Sequence, residues 1–178
     1  MSFSEGRKKY SAAVTAKGPL AKITAQNGRH AVVVDTEAKS LTILMFDTRN
    51  FMVSPAPESK LEEDSVKEIR TTEESKTFFG IEATELIIES ANGEKTHLWV
   101  TTELGSFPIM DLSGMQQSVP EGVREIFGTT AIFPFETITY NPSGRIKNSM
   151  TVTSINRRSV AASEFQVPLG YTEIYPPK

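Results

Sequence analysis

Three short turns between β-rich runs constrain the fold more than any other feature of the sequence. Two of them are the pairs Asn27-Gly28 and Asn92-Gly93, and the third is the tetrapeptide NPSG at residues 141–144. Asn and Gly tolerate positive φ, which tight hairpin turns require, and Pro142 pre-sets φ for the first central position of its turn. Each turn is therefore predicted to join two antiparallel neighbouring strands.

The runs between these turns predict a meander of short strands. Residues 30–35 (HAVVVD) form a nearly continuous apolar run, which indicates a strand that is buried on both faces. Short strands at close, turn-punctuated spacing are typical of an antiparallel, mainly β fold. The predicted strands cover residues 10–16, 20–25, 30–35, 41–46, 51–53, 75–89, 95–102, 131–140 and 144–155.

One helix is predicted over residues 118–128. Ser118 and Glu121 have the spacing of a capping box, and Pro120 falls in the first turn, where its missing N–H has little effect. Gly128 is suited to the position just after the helix. The apolar residues at helical spacing are predicted to be buried against the sheet: Val119, Val123, Ile126 and Phe127.

The acidic stretch 55–74 has a different character. Leu61, Val66 and Ile69 form a thin apolar stripe among charged residues, which favours a helix over a loop insertion. Residues 1–6 are predicted to be a frayed end, and residues 131–174 to form a C-terminal hairpin followed by a segment that closes the sheet. A chain of 178 residues fits a single domain.

Composition excludes several classes of protein. The net charge of −3 and the pI near 5.5 give no electrostatic footprint for nucleic acid. There is no cysteine, which rules out disulfides and thiolate metal sites. No apolar run is long enough for a membrane-spanning helix. The N-terminus lacks the apolar core of a secretory signal, so either a cytoplasmic location or prior removal of a signal peptide fits the sequence.

No catalytic constellation is readable. His30 and His97 are the only histidines, and each lies beside a predicted turn, where a structural role is favoured over metal binding. The acidic run lacks the spacing of an EF-hand loop, and no P-loop, dinucleotide-binding or nucleophile-elbow motif occurs. The sequence predicts no enzyme activity, no cofactor and no metal.

Large apolar side chains are the remaining candidates for a functional site. They fit either a filled core or the lining of an apolar groove between sheet and helix. The sequence alone leaves both interpretations open. The candidate groove residues are Trp99, Val123, Ile126, Phe127, Phe133 and Phe135.

Several segments together resemble a known bacterial family. They are AVVVD (31–35), LTILMF (41–46), FGIEA (79–83), LWVT (98–101), IFPF (132–135), SMTVTSI (149–155) and FQVPLGY (165–171). In these the chain resembles the bacterial domain-of-unknown-function family 4412, which is similar in layout to periplasmic lipoprotein carriers of the LolA and LolB type. The resemblance implies a single strongly curved antiparallel sheet, an unclosed barrel, with one or two helices across its concave face.

The resemblance also implies a location and a class of ligand. It favours a periplasmic or otherwise extracytoplasmic, non-enzymatic protein that binds a lipid, an acyl chain or a lipoprotein segment in the concave face. The alternative hypothesis is a structural or protein-interaction module with a filled core and no small ligand, which uses a sheet edge or the acidic segment. The identity of the ligand, the protein partner and the oligomeric state stay open.

Overall fold

The structure, a computed structural model, describes residues 1–5, 8–56, 66–105, 121–128 and 131–175. In this part of the chain twelve strands form one sheet, with the order β12-β6-β5-β4-β3-β2-β1-β11-β10-β9-β8-β7. The strands are β1 (Ser2–Glu5), β2 (Lys8–Lys17), β3 (Leu20–Ala25), β4 (His30–Asp35), β5 (Ser40–Met45), β6 (Asn50–Pro55), β7 (Val66–Phe78), β8 (Ile81–Ser90), β9 (Lys95–Thr101), β10 (Phe133–Tyr140), β11 (Ile146–Thr151) and β12 (Thr172–Glu173). The helices are α1 (Glu121–Phe127) and a short 3-10 helix, Ala162–Phe165.

The predicted architecture is confirmed in its main features. The fold is mainly β, and neighbouring strands pair antiparallel except for β12, which runs parallel to β6. Strands β7 and β12 lie at opposite ends of the sheet, so the sheet does not close into a barrel. The C-terminal strand β12 lies beside β6 at one end of the sheet. The segment after the C-terminal hairpin was predicted to close the sheet, and it does not close it into a barrel. Strong curvature around a concave face stays a prediction.

The three turns join the strands that the sequence predicts. Asn27-Gly28 connects β3 to β4, Asn92-Gly93 connects β8 to β9, and residues 141–144 connect β10 to β11, each time as antiparallel neighbours. The glycines have φ values of +66°, +83° and +77°, in the region that glycine adopts without strain. Local turn chemistry therefore determines these three pairings.

The prediction that residues 1–6 are frayed is wrong for the first strand. Ser2–Glu5 forms β1, which pairs with β2 on one side and with β11 on the other. The hydroxyls of Ser4 and Ser149 lie 2.8 Å apart across the second of these pairings. Of the two partners of β1, only β2 is close in the sequence, whereas β11 lies far away and could not be inferred from local patterns.

The predicted helix in the acidic stretch is also wrong over residues 66–74, which belong to strand β7. Val66 lies opposite Ser90 and Ile69 opposite Ile88, with a register shift between Val66 and Glu68. Since their partners are two positions apart on β8, Val66 and Ile69 share a face although three positions separate them. The extra residue of the bulge thus mimics helical spacing. Leu61 lies outside the described residues.

Helix α1 and the 3-10 helix pack on opposite faces of the sheet. Residues that lie directly opposite one another in neighbouring strands form a line from Leu86 in β8 to Tyr10 in β2, so these residues share one face of the sheet. Leu86 belongs to the apolar cluster that α1 joins, which places α1 on this face. Ala13 lies three positions after Tyr10 in β2. A second line of directly opposed residues begins at Ala13 and ends at Leu44 in β5. Leu44 packs with Phe165 of the 3-10 helix, and because side chains alternate along a strand, this line lies on the other face.

The prediction that the apolar residues of α1 are buried against the sheet is confirmed for some of them and wrong for another. Val123 is fully buried, Phe127 packs against the same cluster, and the N–H of Gly128 donates to the carbonyl of Arg124 at 2.8 Å, as expected for a glycine after a helix. The predicted burial of Ile126 is wrong, because this residue is 39% exposed. Ser118, Val119 and Pro120 lie outside the described residues. No described helix has the length and apolar character needed to span a membrane.

Candidate functional site

A gap in the sheet forms the main candidate site. Strand β1 lies between β2 and β11 and is only four residues long, whereas β2 has ten residues. The N–H of Ala12 donates to the carbonyl of Met1 at 3.0 Å, and the Met1 ammonium donates to the carbonyl of Ala12 at 2.8 Å. Beyond Ala12, β2 continues to Lys17 and pairs with β3 alone. We call the space on its other side, in line with β1, the β2 slot.

The backbone of β2 presents hydrogen-bonding groups to this slot. The carbonyl of Ser11 accepts from Gln26 N–H on the β3 side, whereas both backbone groups of Ala12 bond Met1 on the β1 side. Since the backbone groups of successive strand residues point to opposite sides, Val14 and Ala16 point the same way as Ala12. The register between β2 and β3 is regular throughout. Within the described residues, the slot-facing groups of Val14 and Ala16 have no hydrogen-bond partner.

The walls of the slot combine apolar side chains with polar groups. The cleft has a volume of about 480 Å³, within the usual range for ligand sites, and nine of its fourteen lining residues are apolar. One wall is β2, and the other is the irregular segment 152–158 that follows β11. The lining residues are Met1, Ala13, Val14, Thr15, Ala16, Leu104, Phe133, Val152, Ser154, Ile155, Asn156, Arg157, Arg158 and Val160.

Hydrogen bonds of charged side chains stabilise the second wall, the segment that follows β11. The Arg158 guanidinium donates to both carboxylate oxygens of Glu164, at 2.7 and 2.6 Å. These hydrogen bonds, helped by a further one from the Ala161 N–H, lower the pKa of Glu164 to about 2. The Lys17 ammonium donates to the carbonyl of Val160 at 2.7 Å, which ties the end of β2 to this segment.

Arg157 extends the positive charge at the rim. It is exposed, lines the slot and has no ion-pair partner among the residues that the structure describes. Lys17 lies nearby and adds a second positive charge, whereas the charge of Arg158 is balanced by Glu164. The arrangement offers backbone hydrogen bonds, apolar surface and a cation, which are means of binding an elongated ligand.

The structure brings together three of the six predicted groove residues. Trp99, Phe133 and Phe135 join one apolar cluster with Phe78, and Phe135 is completely buried. The Lys76 ammonium lies 4.9 Å from the centroid of the Phe78 ring and 5.4 Å from that of Trp99, and it pairs with Glu136 at 3.2 Å. This cluster is packed core for the most part, and of the three only Phe133 also lines the slot.

The other three predicted residues lie on α1, apart from that cluster. Val123 and Phe127 pack in the separate cluster around Leu86 and Leu98, while Ile126 is exposed. The six candidates therefore do not line a single groove in this structure. Whether any of them contacts a ligand stays a prediction.

A second, smaller cleft lies beside two of the hairpin turns. It has a volume of about 300 Å³ and includes His97 and Tyr140, whose rings meet edge to face at 5.4 Å. The Nδ1 atom of His97 lies 2.8 Å from a carboxylate oxygen of Glu85, which orients the ring. The described residues contain no group of three or more side chains suited to hold a metal ion.

Sequence reasoning missed the residues that define the slot: Val14, Ala16 and Arg157. Their side chains carry no distinctive pattern, since the relevant groups of the first two are backbone atoms. The only available signal was the long strand 8–17 beside a much shorter one. That signal depends on recognising residues 2–5 as a strand.

Comparisons with known proteins agree with the fold. The family model described as "Domain of unknown function (DUF4412)" matches residues 8–171. A crystal structure of an uncharacterized conserved protein from Thermus thermophilus aligns with a TM-score of 0.57 and 13% identity, over 97% of this chain and 86% of that chain. At this identity, the likeness concerns the fold alone.

A second solved structure also aligns with the chain. PNGF-II, solved in the C2 space group, gives a TM-score of 0.49 and 12% identity, over 97% of this chain and 30% of that one. Among proteins with curated descriptions, none matches this chain.

Proposed function

We propose, for a chain that belongs to the DUF4412 family, that the protein is a non-enzymatic binding protein whose β2 slot holds an elongated hydrophobic ligand. The observation that carries this proposal is the open cleft of about 480 Å³, in which apolar side chains and polar groups both face the space. Cores are packed to a density that leaves few such voids, so a cleft of this size is a natural place for a ligand.

The packing of the aromatic residues supports the choice of this cleft over the groove beside the helix. Phe135 has no exposed surface, and Val123 on α1 is equally buried, so neither offers free surface to a ligand. Phe133 is half-buried and lies on the wall of the slot. It is therefore the predicted groove residue that we assign to ligand contact.

We further propose that the protein shares the layout of periplasmic lipoprotein carriers, and from this we infer the chemistry of the ligand and the location of the protein. An acyl chain or an apolar segment of a lipoprotein would contact the apolar side chains that line the cleft. We accordingly propose an extracytoplasmic location. Fractionation of cells that produce the protein from its native gene, followed by immunoblotting, tests that location, and recovery in the cytoplasmic fraction would contradict it.

Titration with a fluorescent fatty acid tests the proposed function. We expect saturable binding at micromolar protein concentration. Phe133→Asp should weaken binding at least tenfold, because it places a charge on the apolar wall. Leu169→Asp is the matched control, since Leu169 is fully exposed and lies outside the slot, and it should bind as the unchanged protein does.

A second variant guards against a folding defect. Ile155 lines the slot on the irregular segment after β11, where a polar side chain disturbs the sheet less than it would in a strand. Ile155→Glu should weaken fatty-acid binding while the circular dichroism spectrum stays unchanged. Absence of saturable binding by the unchanged protein would refute the proposal.

A further inference from the structure

Four strands begin at the same end of the sheet, and each of them has a lysine among its first two residues. These strands are β2, β11, β9 and β7, and the register of the strand pairs between them places their starts side by side. Arg145, directly before β11, adds a guanidinium. We call this region the basic end, and its cationic residues are Lys8, Lys9, Lys67, Lys95, Arg145 and Lys147.

Cations outnumber carboxylates at the basic end. Two lysine ammonium groups share the carboxylate of Glu89, at 2.6 and 3.1 Å. Farther along β7, Glu68 and Arg70 pair with each other and leave this excess unchanged. Among the described residues, the carboxylates that accompany the six cations are Glu5, Glu89 and Glu94. In a chain with a net charge of −3, this end of the sheet is therefore a local region of positive charge.

Two exposed apolar side chains lie within the basic end. Tyr10 directly follows Lys9 and is 49% exposed, and Ile146 lies between Arg145 and Lys147 and is 57% exposed. Only β1 separates β2 from β11, so the two segments lie about 10 Å apart. A tyrosine and an aliphatic side chain flanked by cations are suited to the interface of an anionic bilayer, where apolar groups enter and cations meet the lipid phosphates.

The basic end is separate from the β2 slot. It lies at the Glu5 end of β1, whereas the slot lies at the Met1 end. Lys9 and Val14 are five positions apart in one strand, which corresponds to about 16 Å. The sequence alone does not reveal the basic end, because the fold, and not the order of the residues, brings the starts of the four strands together.

We propose that the basic end docks the protein onto the surface of a bilayer that contains anionic lipids. Tyr10 and Ile146 enter the interface, and the exposed cationic groups of Lys8, Lys9 and Arg145 bind lipid phosphates. Lys9 and Tyr10 point to opposite faces of the sheet, so the bilayer approaches the end of the sheet and not one of its faces. This inference goes beyond the proposed function, because it names a partner surface and does not depend on what the β2 slot holds.

Co-sedimentation with lipid vesicles tests the docking. At low salt, we expect the protein to bind vesicles of equal parts phosphatidylglycerol and phosphatidylcholine, and to bind vesicles of phosphatidylcholine alone much more weakly. Added salt should release it from the anionic vesicles, because salt screens the attraction between exposed charges. Equal binding to both kinds of vesicle, or binding to neither, would overturn the inference.

Charge reversals test whether the basic end is the docking surface. Lys9→Glu combined with Arg145→Glu should lower the affinity for the anionic vesicles by about tenfold or more. The matched control is Lys39→Glu combined with Arg124→Glu, which makes the same change in net charge on exposed residues in the turn between β4 and β5 and on α1. An equal loss of affinity in the two double variants would show that only the net charge matters, and the basic end would have no special part.

The apolar contribution has its own test. Ile146→Ser keeps every charge, and it should weaken vesicle binding about fivefold while the salt dependence persists. Val53→Ser is the matched control, since Val53 is 48% exposed in β6, outside the basic end, and it should bind as the unchanged protein does. Circular dichroism checks the fold of each variant, and Ile146→Ser gives a second route if the charge-reversed protein does not fold.

A single-stranded oligonucleotide distinguishes a bilayer from other anionic partners. It offers phosphates without an apolar interior, so Ile146→Ser should leave any binding of it unchanged. If Ile146→Ser binds the anionic vesicles as tightly as the unchanged protein does, and both bind the oligonucleotide, the basic end is a general polyanion surface and the bilayer inference fails.

Discussion

The ring of Phe78 stacks on the ring of Phe135, with centroids 4.9 Å apart and planes inclined by 8°. The two residues belong to β7 and β10, which β8 and β9 separate in the sheet. Ala83 of β8 belongs to the same cluster, and its small side chain leaves room for the rings to meet. The stack thus connects the edge strand β7 to a strand three positions further into the sheet.

Replacement of Phe135 by Ala should destabilise the protein strongly. Phe135 has no exposed surface, and removal of a buried aromatic ring typically lowers the free energy of unfolding by about 3–5 kcal/mol. The midpoint of urea unfolding should fall accordingly. Phe79→Ala is the matched control: Phe79 is 52% exposed, and its replacement should change stability by less than about 1 kcal/mol. Similar effects of the two changes would contradict the assignment of Phe135 to the core.

The paired strands were predictable wherever local chemistry determines the chain reversal. The Asn-Gly turns and the NPSG turn require positive φ, and the Asn and Gly residues in their sequences indicate this conformation. The turn between β7 and β8 was not recognised, because Phe79 adopts φ +53° before Gly80 without being a typical turn residue. Here the surrounding pairing imposes a conformation that the residue itself does not favour.

Long-range pairing explains what the sequence could not reveal about the site. β1 contacts β11 across 145 positions at the pair Ser4 and Ser149, and no short-range pattern encodes such a contact. The β2 slot lies beside β1, so it was as hidden as β1 itself. In contrast, Phe133 was identified as a candidate because a large apolar side chain is informative wherever it lies.

The turn between β4 and β5 allows a test of backbone strain. Lys39 has φ +50°, a region that costs a non-glycine residue about 1–2 kcal/mol. Lys39→Gly removes this strain, but the greater conformational freedom of glycine stabilises the unfolded chain by about 0.4–1 kcal/mol. The free energy of unfolding should therefore be unchanged or should rise by about 1 kcal/mol.

Ala38→Gly is the control for Lys39→Gly, because Ala38 precedes it in the same turn and does not have a positive φ. It brings only the entropic loss, and it should lower stability by about 0.4–1 kcal/mol. Urea unfolding of the two variants measures the difference. A loss of stability in Lys39→Gly that equals the loss in Ala38→Gly would show that Lys39 is not strained.

The pair of Arg158 and Glu164 should make stability depend on pH in a defined window. The pKa of Glu164 falls from 4.5 to about 2 in the folded protein, chiefly because Arg158 donates hydrogen bonds to its carboxylate. A folded pKa below the unfolded one stabilises the protein above pH 4.5, and that contribution is lost as the pH falls from 4.5 towards 2. The pair is exposed, so salt should reduce the effect.

Glu164→Gln removes this contribution. The urea midpoint of the variant should lie below that of the unchanged protein at pH 6, and the gap should close near pH 2. Arg158→Gln should have a similar effect, and the double variant should add little further loss, because both changes remove the same interaction. A gap that stays constant across this pH range would contradict the role of the pair.

The contact between α1 and β7 provides the last test. A Cβ atom added at Gly122 would lie 3.0 Å from the Cδ1 atom of Ile69, at the end of a flexible side chain. Alanine favours a helix over glycine by about 0.8–1 kcal/mol, but in the unchanged protein Ile69 must move to admit it. Gly122→Ala alone should therefore gain much less than this amount.

Ile69→Val removes the Cδ1 atom and the obstacle with it. By itself it should cost about 0.5–1.5 kcal/mol, as expected for the loss of one methyl group from a packed position. In that background, Gly122→Ala should recover close to 1 kcal/mol, so the two changes should be coupled in a double-mutant cycle. Urea unfolding of the four proteins measures the coupling. Additive effects would mean that α1 does not approach β7 as closely as described, and that the bulge which places Ile69 beneath the helix has no part in docking it.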